Sequence, residues 1–368
     1  MLLAWGRSQR TASDAELIRW GADVARVEGR LAVPRDDGAG TRSDVVDVAL
    51  TRAGSAGTGA RKRIQVNGVA RRASVLFDRL RVVVFGPEEM LLVVGSPSLR
   101  RDALDRLASQ RSPMHTADLA SYGRALAQRN ALLRAIREAE EPDRAALRDQ
   151  LRLWDPPYLE AGAAVLETRR ATLVALAAPL ARAHAEIAPE EASDASLVVR
   201  YVTNAPPLAG EGPRETLARR LGETIDKELW NGTTLVGPHR DDLAFELGGR
   251  DLAGFASRGQ QRTAILAWKL AELDLLTALD GRSPLLLLDD VFSELDPARR
   301  AHLVRRIAAL PQAFVSTTTP GDLDPALVAI ATSWQVIAGD AGGADVNDTG
   351  ARLLGPVAGT EAPVVAGR

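Results

Sequence analysis

Two adjacent carboxylates, Asp289 and Asp290, close a run of leucines that begins after Pro284. The leucines Leu285–Leu288 show no period-two alternation, which is how a strand buried on both faces of a parallel sheet reads. In open α/β sheets ligands bind outside the carboxyl ends of the strands, so acid groups placed there can meet a metal and a nucleotide. A buried strand ending in a solvated acidic turn gives the same pattern. A second stretch, Ser257-Arg-Gly-Gln-Gln261, has the form of a turn that opens a helix. It offers a hydroxyl and unpaired backbone N–H groups at the positive end of a helix dipole, which is an anion site. Ser293-Glu-Leu-Asp296 follows the acid pair, and the apolar segment Ala313–Ser316 runs into three threonines, Thr317–Thr319.

These groups need elements to position them. From Ala22 to about Val84, β-branched runs (Val24–Val27, Val45–Leu50, Arg63–Val66, Val82–Phe85) alternate with Gly, Asp and Ser clusters, predicting a meandering, mostly antiparallel sheet. Residues 53–60 are a glycine-rich hairpin loop without the Gly-Lys-Ser/Thr step of a phosphate loop. Helical spacing then takes over to Ala139. Glu140-Glu-Pro142 breaks it, Asp155-Pro-Pro157 marks another turn, and a second helix runs from about Leu159 to Ile187, with Pro179 able to kink it. Strand character returns at Leu197–Val202, followed by a helix at Arg214–Leu229. Gly237-Pro-His-Arg-Asp-Asp242 leads into a strand at Leu243–Leu247, and a helix after Ser257 carries Leu266, Leu270 and Leu273 on one face. The expected division is a head segment over 1–98, a helical arm over 99–195, a second head segment over 196–340 and an unstructured Gly/Ala/Pro/Val-rich tail over 341–368.

The 368 residues include no cysteine, which excludes disulfides, zinc–thiolate sites and thiol nucleophiles. No apolar run approaches the ~20 residues that cross a bilayer, and a soluble, cytoplasmic protein is expected. The net charge of −2 does not by itself announce a nucleic-acid binder. Arginine supplies nearly all the positive charge, and pairs such as Arg71-Arg72, Arg100-Arg101 and Arg169-Arg170 could form local phosphate-binding patches or simply solvated faces. The four histidines, His115, His184, His239 and His302, have no metal-ligand spacing.

The order of Ser257–Gln261, the leucine strand with its acids, Ser293–Asp296 and the threonine-ended strand is similar to the distal half of an ATP-binding-cassette head. Gly86-Pro-Glu, Val94-Gly-Ser-Pro-Ser-Leu-Arg-Arg-Asp-Ala-Leu-Asp105, Gly237-Pro-His-Arg-Asp-Asp-Leu243, Ser257-Arg-Gly-Gln-Gln-Arg262 and Leu287–Asp296 sharpen this to a resemblance to the RecF family of bacterial recombination mediators. Gly6–Arg10 resembles the turn after that family's first helix. The resemblance spans about residues 1 to 320. It implies an α/β, SMC-like ATPase head with an inserted α-helical arm. It also implies an ATP-dependent homodimer that binds gapped DNA at single-strand/double-strand junctions, acts with RecR and RecO, and helps load the recombinase. On that resemblance Asp289 would hold Mg²⁺ and Asp290 would orient or activate the attacking water. Ser257, Arg258, Gly259 and Gln260 would reach the γ-phosphate of ATP held by the other protomer. Ser293 and Asp296 would contribute from the segment after the acids, Asp296 acting across the dimer, and Thr317 or Thr318 would occupy the switch position.

One departure stands out. A phosphate loop needs Gly-x-x-x-x-Gly-Lys-Ser/Thr, so that backbone N–H groups and one lysine neutralise the phosphates. The only lysines are Lys62, Lys227 and Lys269, and none follows a glycine. The family layout places that loop just before the turn matched by Gly6–Arg10, so roughly 40 residues with the first strands are expected to be missing, judged by ordinary strand–loop–helix lengths. Two other readings stay open: a non-catalytic DNA- or partner-binding remnant, and a different SMC-like head acting in chromosome structure. The 368-residue chain is expected to bind ATP weakly or not at all. Nucleotide titration by calorimetry checks this, and tight binding would contradict it.

Overall fold

Alternating β-branched and polar residues between glycine-rich breaks build the first sheet. The computed structural model describes residues 1–9, 11, 13–34, 40–53, 59–140, 143–192, 195–292, 295–319, 321, 323–337 and 352–354. The chain divides into two units, Met1–Val84 with Glu88–Leu285, and Phe85–Pro87 with Leu286–Arg368.

The first unit opens with helix α1 (Leu2–Trp5). An antiparallel meander follows, in the order β1 (Val24–Pro34), β2 (Thr41–Arg52), β3 (Ala60–Val66), β4 (Val69–Ala70). Period-two alternation in β2 turns Val46, Val48 and Leu50 inward, against Ile64 and Val66 of β3, Ile18, and Leu76 of α2 (Leu76–Arg79). Cross-strand pairing, from Val24↔Thr51 to Pro34↔Thr41, carries the strands well past the β-branched runs seen in the sequence. The hairpin after β2 is closed by Arg52↔Ala60 and by the Ala53 N–H on the Gly59 carbonyl, while positions 54–58 lie outside the described residues. Strand β5 (Val82–Phe85) does not join this meander, contrary to expectation. All four of its residues are buried, as in a strand covered on both faces, whereas a meander strand alternates.

Helices α3 (Pro97–Arg111), α4 (Pro113–Glu138) and α5 (Asp143–Ile187) come next, with α4 and α5 packed as a hairpin. The turn expected at Asp155–Pro157 is absent, because α5 is continuous over 45 residues and contains Pro156, Pro157 and Pro179. An interior proline removes a donor and crowds the preceding turn, at a cost of about 3 kcal/mol. Burial outweighs that here. Tyr158, Leu159, Val165 and Leu166 join Tyr122 and Ala125 of α4 in one core cluster. Asp155 accepts from Arg129 Nε at 2.9 Å. A 45-residue helix reaches on the order of 65–70 Å.

The short α6 (Pro189–Ala192) leads to β6 (Leu197–Val202), α7 (Pro213–Asn231), β7 (Asp242–Leu247) and β8 (Arg250–Asp251), with β6, β7 and β8 paired antiparallel. Then come α8 (Leu252–Phe255) and α9 (Arg258–Asp280). Helix α5 packs along α9, whose Trp268 is fully buried 5.5 Å, centroid to centroid, from the Phe245 ring.

The second unit holds most of β9 (Leu285–Asp289), followed by α10 (Pro297–Ala308), β10 (Ala313–Ser316), α11 (Pro325–Ile330), β11 (Gln335–Ile337) and β12 (Arg352–Leu354). Strand β10 pairs parallel with β9, as a β-α-β crossover requires. Leu286 and Leu288 are buried but Leu285 and Leu287 only half so. The burial expected on both faces is therefore complete on one face and partial on the other. Within the tail expected to be unstructured, Arg352–Leu354 pair with β11 and gain ladder hydrogen bonds; the rest of 341–368 lies outside the described residues.

The segment between α7 and β7 is pinned beneath the arm. Gly237 has φ 130, and a Cβ there would lie 2.2 Å from the Tyr158 hydroxyl, so only glycine fits. Tyr158 donates to the Val236 carbonyl. The His239 Nε2–H donates to the Thr234 carbonyl at 3.2 Å, which leaves Nδ1 to accept the Tyr122 hydroxyl at 2.6 Å. Burial, reinforced by the charges of Arg240, Arg101 and Arg129, lowers the His239 pKa to about 4. The folded state therefore holds a neutral imidazole. Its contribution is full above the ordinary histidine value of 6.5 and is lost as pH falls towards about 4. Denaturant unfolding of parent and His239→Gln across that window is expected to show the parent losing more stability as pH falls.

Candidate functional site

The site residues expected from the sequence divide between the two units. Ser257, Arg258, Gly259 and Gln260 belong to the first, and Asp289, Asp290, Asp296, Thr317 and Thr318 to the second. Ser293 lies outside the described residues.

In the first unit Ser257 is the N-cap of α9. Its hydroxyl accepts the Gln260 N–H at 3.2 Å, and Gln260 Oε1 accepts the Ser257 N–H at 3.0 Å, completing a capping box. Two of the expected ligand groups are thus already engaged with each other. The first-turn N–H groups of Arg258 and Gly259 have no partner within the helix, and both residues are exposed. A Cβ on Gly259 would meet nothing nearer than the Ser257 hydroxyl, at 3.8 Å. Glycine in a helix costs about 1 kcal/mol relative to alanine. Nothing within the described residues requires it here, and the space beside it is open.

In the second unit Asp289 ends β9 opposite Ser316 of β10. Ser316 Oγ donates to Asp289 Oδ1 at 2.5 Å, and the Ser316 carbonyl accepts the Asp290 N–H at 3.0 Å. One residue of the neighbouring strand thereby orients the Asp289 carboxylate and anchors the Asp290 backbone. Asp290 adopts φ 52, the left-handed region that costs a non-glycine residue about 1 kcal/mol. That twist turns the chain out of β9 immediately after the exposed Asp289. Backbone strain of this kind is retained where a side chain has to be aimed. Asp289 and the Ser316 hydroxyl are hard oxygen donors, but two protein groups fall short of the about six or more oxygens a divalent cation takes.

Asp296 is the N-cap of α10. Its Oδ1 accepts the Ala298 and Arg299 N–H groups, each at 3.0 Å, and its Oδ2 pairs with the Arg299 guanidinium. Despite desolvation, those bonds hold its pKa below the usual carboxylate value. Thr317 closes a turn of its own. It donates to the Thr319 carbonyl at 3.2 Å and accepts the Thr319 N–H at 3.1 Å, while Thr318 is exposed. Among the described residues no cluster of three His, Cys, Asp or Glu side chains forms a metal site, and no helix is long and apolar enough to cross a membrane.

Ser316 is the residue that reading the sequence missed. It lay in the apolar run before the threonines, and only the parallel register sets it beside Asp289. Asp290→Gly is expected to remove the left-handed strain and raise the unfolding free energy by about 1 kcal/mol. Denaturant titration of the purified chain checks this.

No family model matches the chain. Curated relatives do. The DNA replication and repair protein RecF of Geobacillus thermodenitrificans is 36% identical over 347 residues, covering 92% of this chain and 87% of the relative. The protein of the same description in Bacillus subtilis is 36% identical over 335 residues, covering 88% and 83%. A solved structure of the recombination mediator protein RecF-ATP in the RecFOR pathway matches with a TM-score of 0.74 at 30% identity, over 88% of this chain and 82% of that one. The corresponding RecF-ATPrS structure gives 0.74 at 29%.

Proposed function

The chain belongs to the family of the DNA replication and repair protein RecF, and we propose that it is an ATP-dependent DNA-binding protein of recombinational and replication-gap repair. In this reading it dimerises around ATP, binds single-strand/double-strand junctions with RecR and RecO as partners, and helps load the recombinase there. The observation that carries the reading is the open N-terminus of α9. Exposed Arg258 and Gly259 present first-turn N–H groups where, among the described residues, a Cβ on Gly259 would meet only the Ser257 hydroxyl. A polyphosphate held by a second copy suits that surface.

The residues present fit part of a nucleotide site. Asp289, oriented by Ser316, would hold Mg²⁺ through its carboxylate. Asp290 would hold and deprotonate a water, its direction set by the left-handed turn. Bound Mg²⁺–ATP supplies a cleavable phosphoanhydride whose charge the metal partly neutralises. Ser257 and Gln260 keep the first turn of α9 rigid through their capping box, so that the Arg258 and Gly259 N–H groups point outward. Asp296, as the cap of α10, and Thr317, in its own turn, would shape the surface around this centre, with Thr318 beside it. The cradle for the nucleotide's own phosphates is not among these residues, since the chain has no Gly-Lys step.

Asp290→Asn keeps the side-chain volume but removes the base. Repair is expected to fail in cells carrying it. Survival after DNA damage is the readout. Unchanged survival would favour the non-catalytic reading, in which the acids only support the fold.

A further inference from the structure

Arg100 and Arg101 are neighbours in sequence with unlike fates in the first unit. Arg100 forks onto Asp242 (Nε to Oδ1 2.7 Å, Nη2 to Oδ2 2.9 Å) and donates to the Gly95 carbonyl at 2.7 Å. Its charge is neutralised within the fold. Arg101 instead donates to the main-chain carbonyl of Asp241 at 2.7 Å. The Asp241 side chain is engaged elsewhere, by the Tyr201 hydroxyl at 2.8 Å and the Asn204 N–H at 3.3 Å. Arg240, exposed on the same 234–242 segment, places Nε and Nη2 on the Thr234 carbonyl at 3.3 and 3.1 Å, the oxygen that also accepts from His239. The next acid on α3, Asp102, acts on Arg7.

Charge accounting around this segment thus leaves a surplus. Both acids of the loop are committed to other partners, and His239 is neutral. Among the described residues, no carboxylate lies within ion-pair distance of Arg101 or Arg240. A carbonyl oxygen orients a guanidinium without cancelling its charge, so each side chain is aimed, and each retains N–H groups for an external anion. Arg240 shares the Thr234 carbonyl with His239, and Arg101 holds the carbonyl of Asp241, the residue next to Arg240.

We infer that Arg101 and Arg240 form a phosphate-binding site, where the 234–242 segment meets α3, that takes the phosphodiester backbone of DNA. The choice of DNA over another anion rests on the function proposed above. The planar forks suit phosphate oxygens and carry no base preference, so the site fixes the position of a duplex rather than its sequence.

The test is fluorescence anisotropy of a labelled gapped duplex against the full chain over a series of salt concentrations. Each phosphate contact contributes about 0.9 to the slope of log K against log salt. Arg240→Gln alone, at an exposed position, is expected to flatten the slope by about 0.9, and Arg101→Gln with Arg240→Gln by about 1.8. The double lysine variant, which keeps the charges, should restore most of the slope. Binding by the parent with an unchanged slope in the glutamine variants would overturn this site and leave the DNA reading standing. No DNA binding by the parent would overturn both. Loss of binding to poly-glutamate, with an intact DNA slope, would assign the arginines to an acidic protein and overturn the proposal.

Discussion

The arm is held by arginines that have been taken out of water. Arg129 of α4 exposes none of its side chain. It pairs with the equally buried Glu228 of α7 at 3.2 Å, with Asp155 of α5 at 2.9 Å and with the Thr234 hydroxyl at 2.9 Å. Its guanidinium also lies over the Tyr158 ring, 5.0 Å from the centroid. Arg169 repeats the device from α5, with a bidentate pair to Asp105 of α3 at 2.8 Å and a bond to the Pro238 carbonyl at 2.7 Å. Desolvating such charges offsets most of their attraction, so the pairs add little net stability compared with well-packed apolar residues. They do impose direction. A buried guanidinium with one acceptor missing is costly by several kcal/mol, which leaves few alternative registers for α4, α5 and α7.

Both arginines reach the 234–242 segment, Arg129 at Thr234 and Arg169 at the Pro238 carbonyl. That segment is consequently fixed in a conformation open only to glycine at 237, with the Thr234, Pro238 and Asp241 carbonyls taken by arginines and both acids paired within the fold. The same constraint has two consequences. It keeps His239 neutral between Tyr122 and Thr234, and it orients Arg101 and Arg240 without neutralising them. The buried pairs that direct the arm thus leave Arg101 and Arg240 held on carbonyl oxygens beside it.

The candidate nucleotide residues follow another logic. At the start of α9 a capping box satisfies part of the first turn and leaves two N–H groups to solvent, while an exposed glycine keeps the approach clear. At the end of β9 a serine from the neighbouring strand holds the Asp289 carboxylate, and the chain turns through a left-handed Asp290. Each arrangement spends some conformational stability on presenting polar groups outward. The rest of α9 shows the opposite economy, with Thr263–Leu273 buried throughout.

Much of this was legible in the sequence. The leucine run and its acids, the Ser257 turn, the N-terminal meander and the paired long helices all rest on local spacing, and local spacing is what a sequence displays. The course of α5 through three prolines was not legible, because the local cost of proline is overridden by the core around Tyr158 and Leu159. The sheet that β5 enters was not legible for a related reason, since four apolar residues do not reveal it. Ser316 was invisible as a partner of Asp289 because their pairing spans 27 residues and depends on parallel register. By itself the sequence determined which residue types could meet phosphate and metal, and in what order. The tertiary structure alone decided which of the adjacent arginines Arg100 and Arg101 keeps its charge for an outside partner. A salt bridge across 142 residues neutralises the first, and no local pattern encodes a contact at that distance.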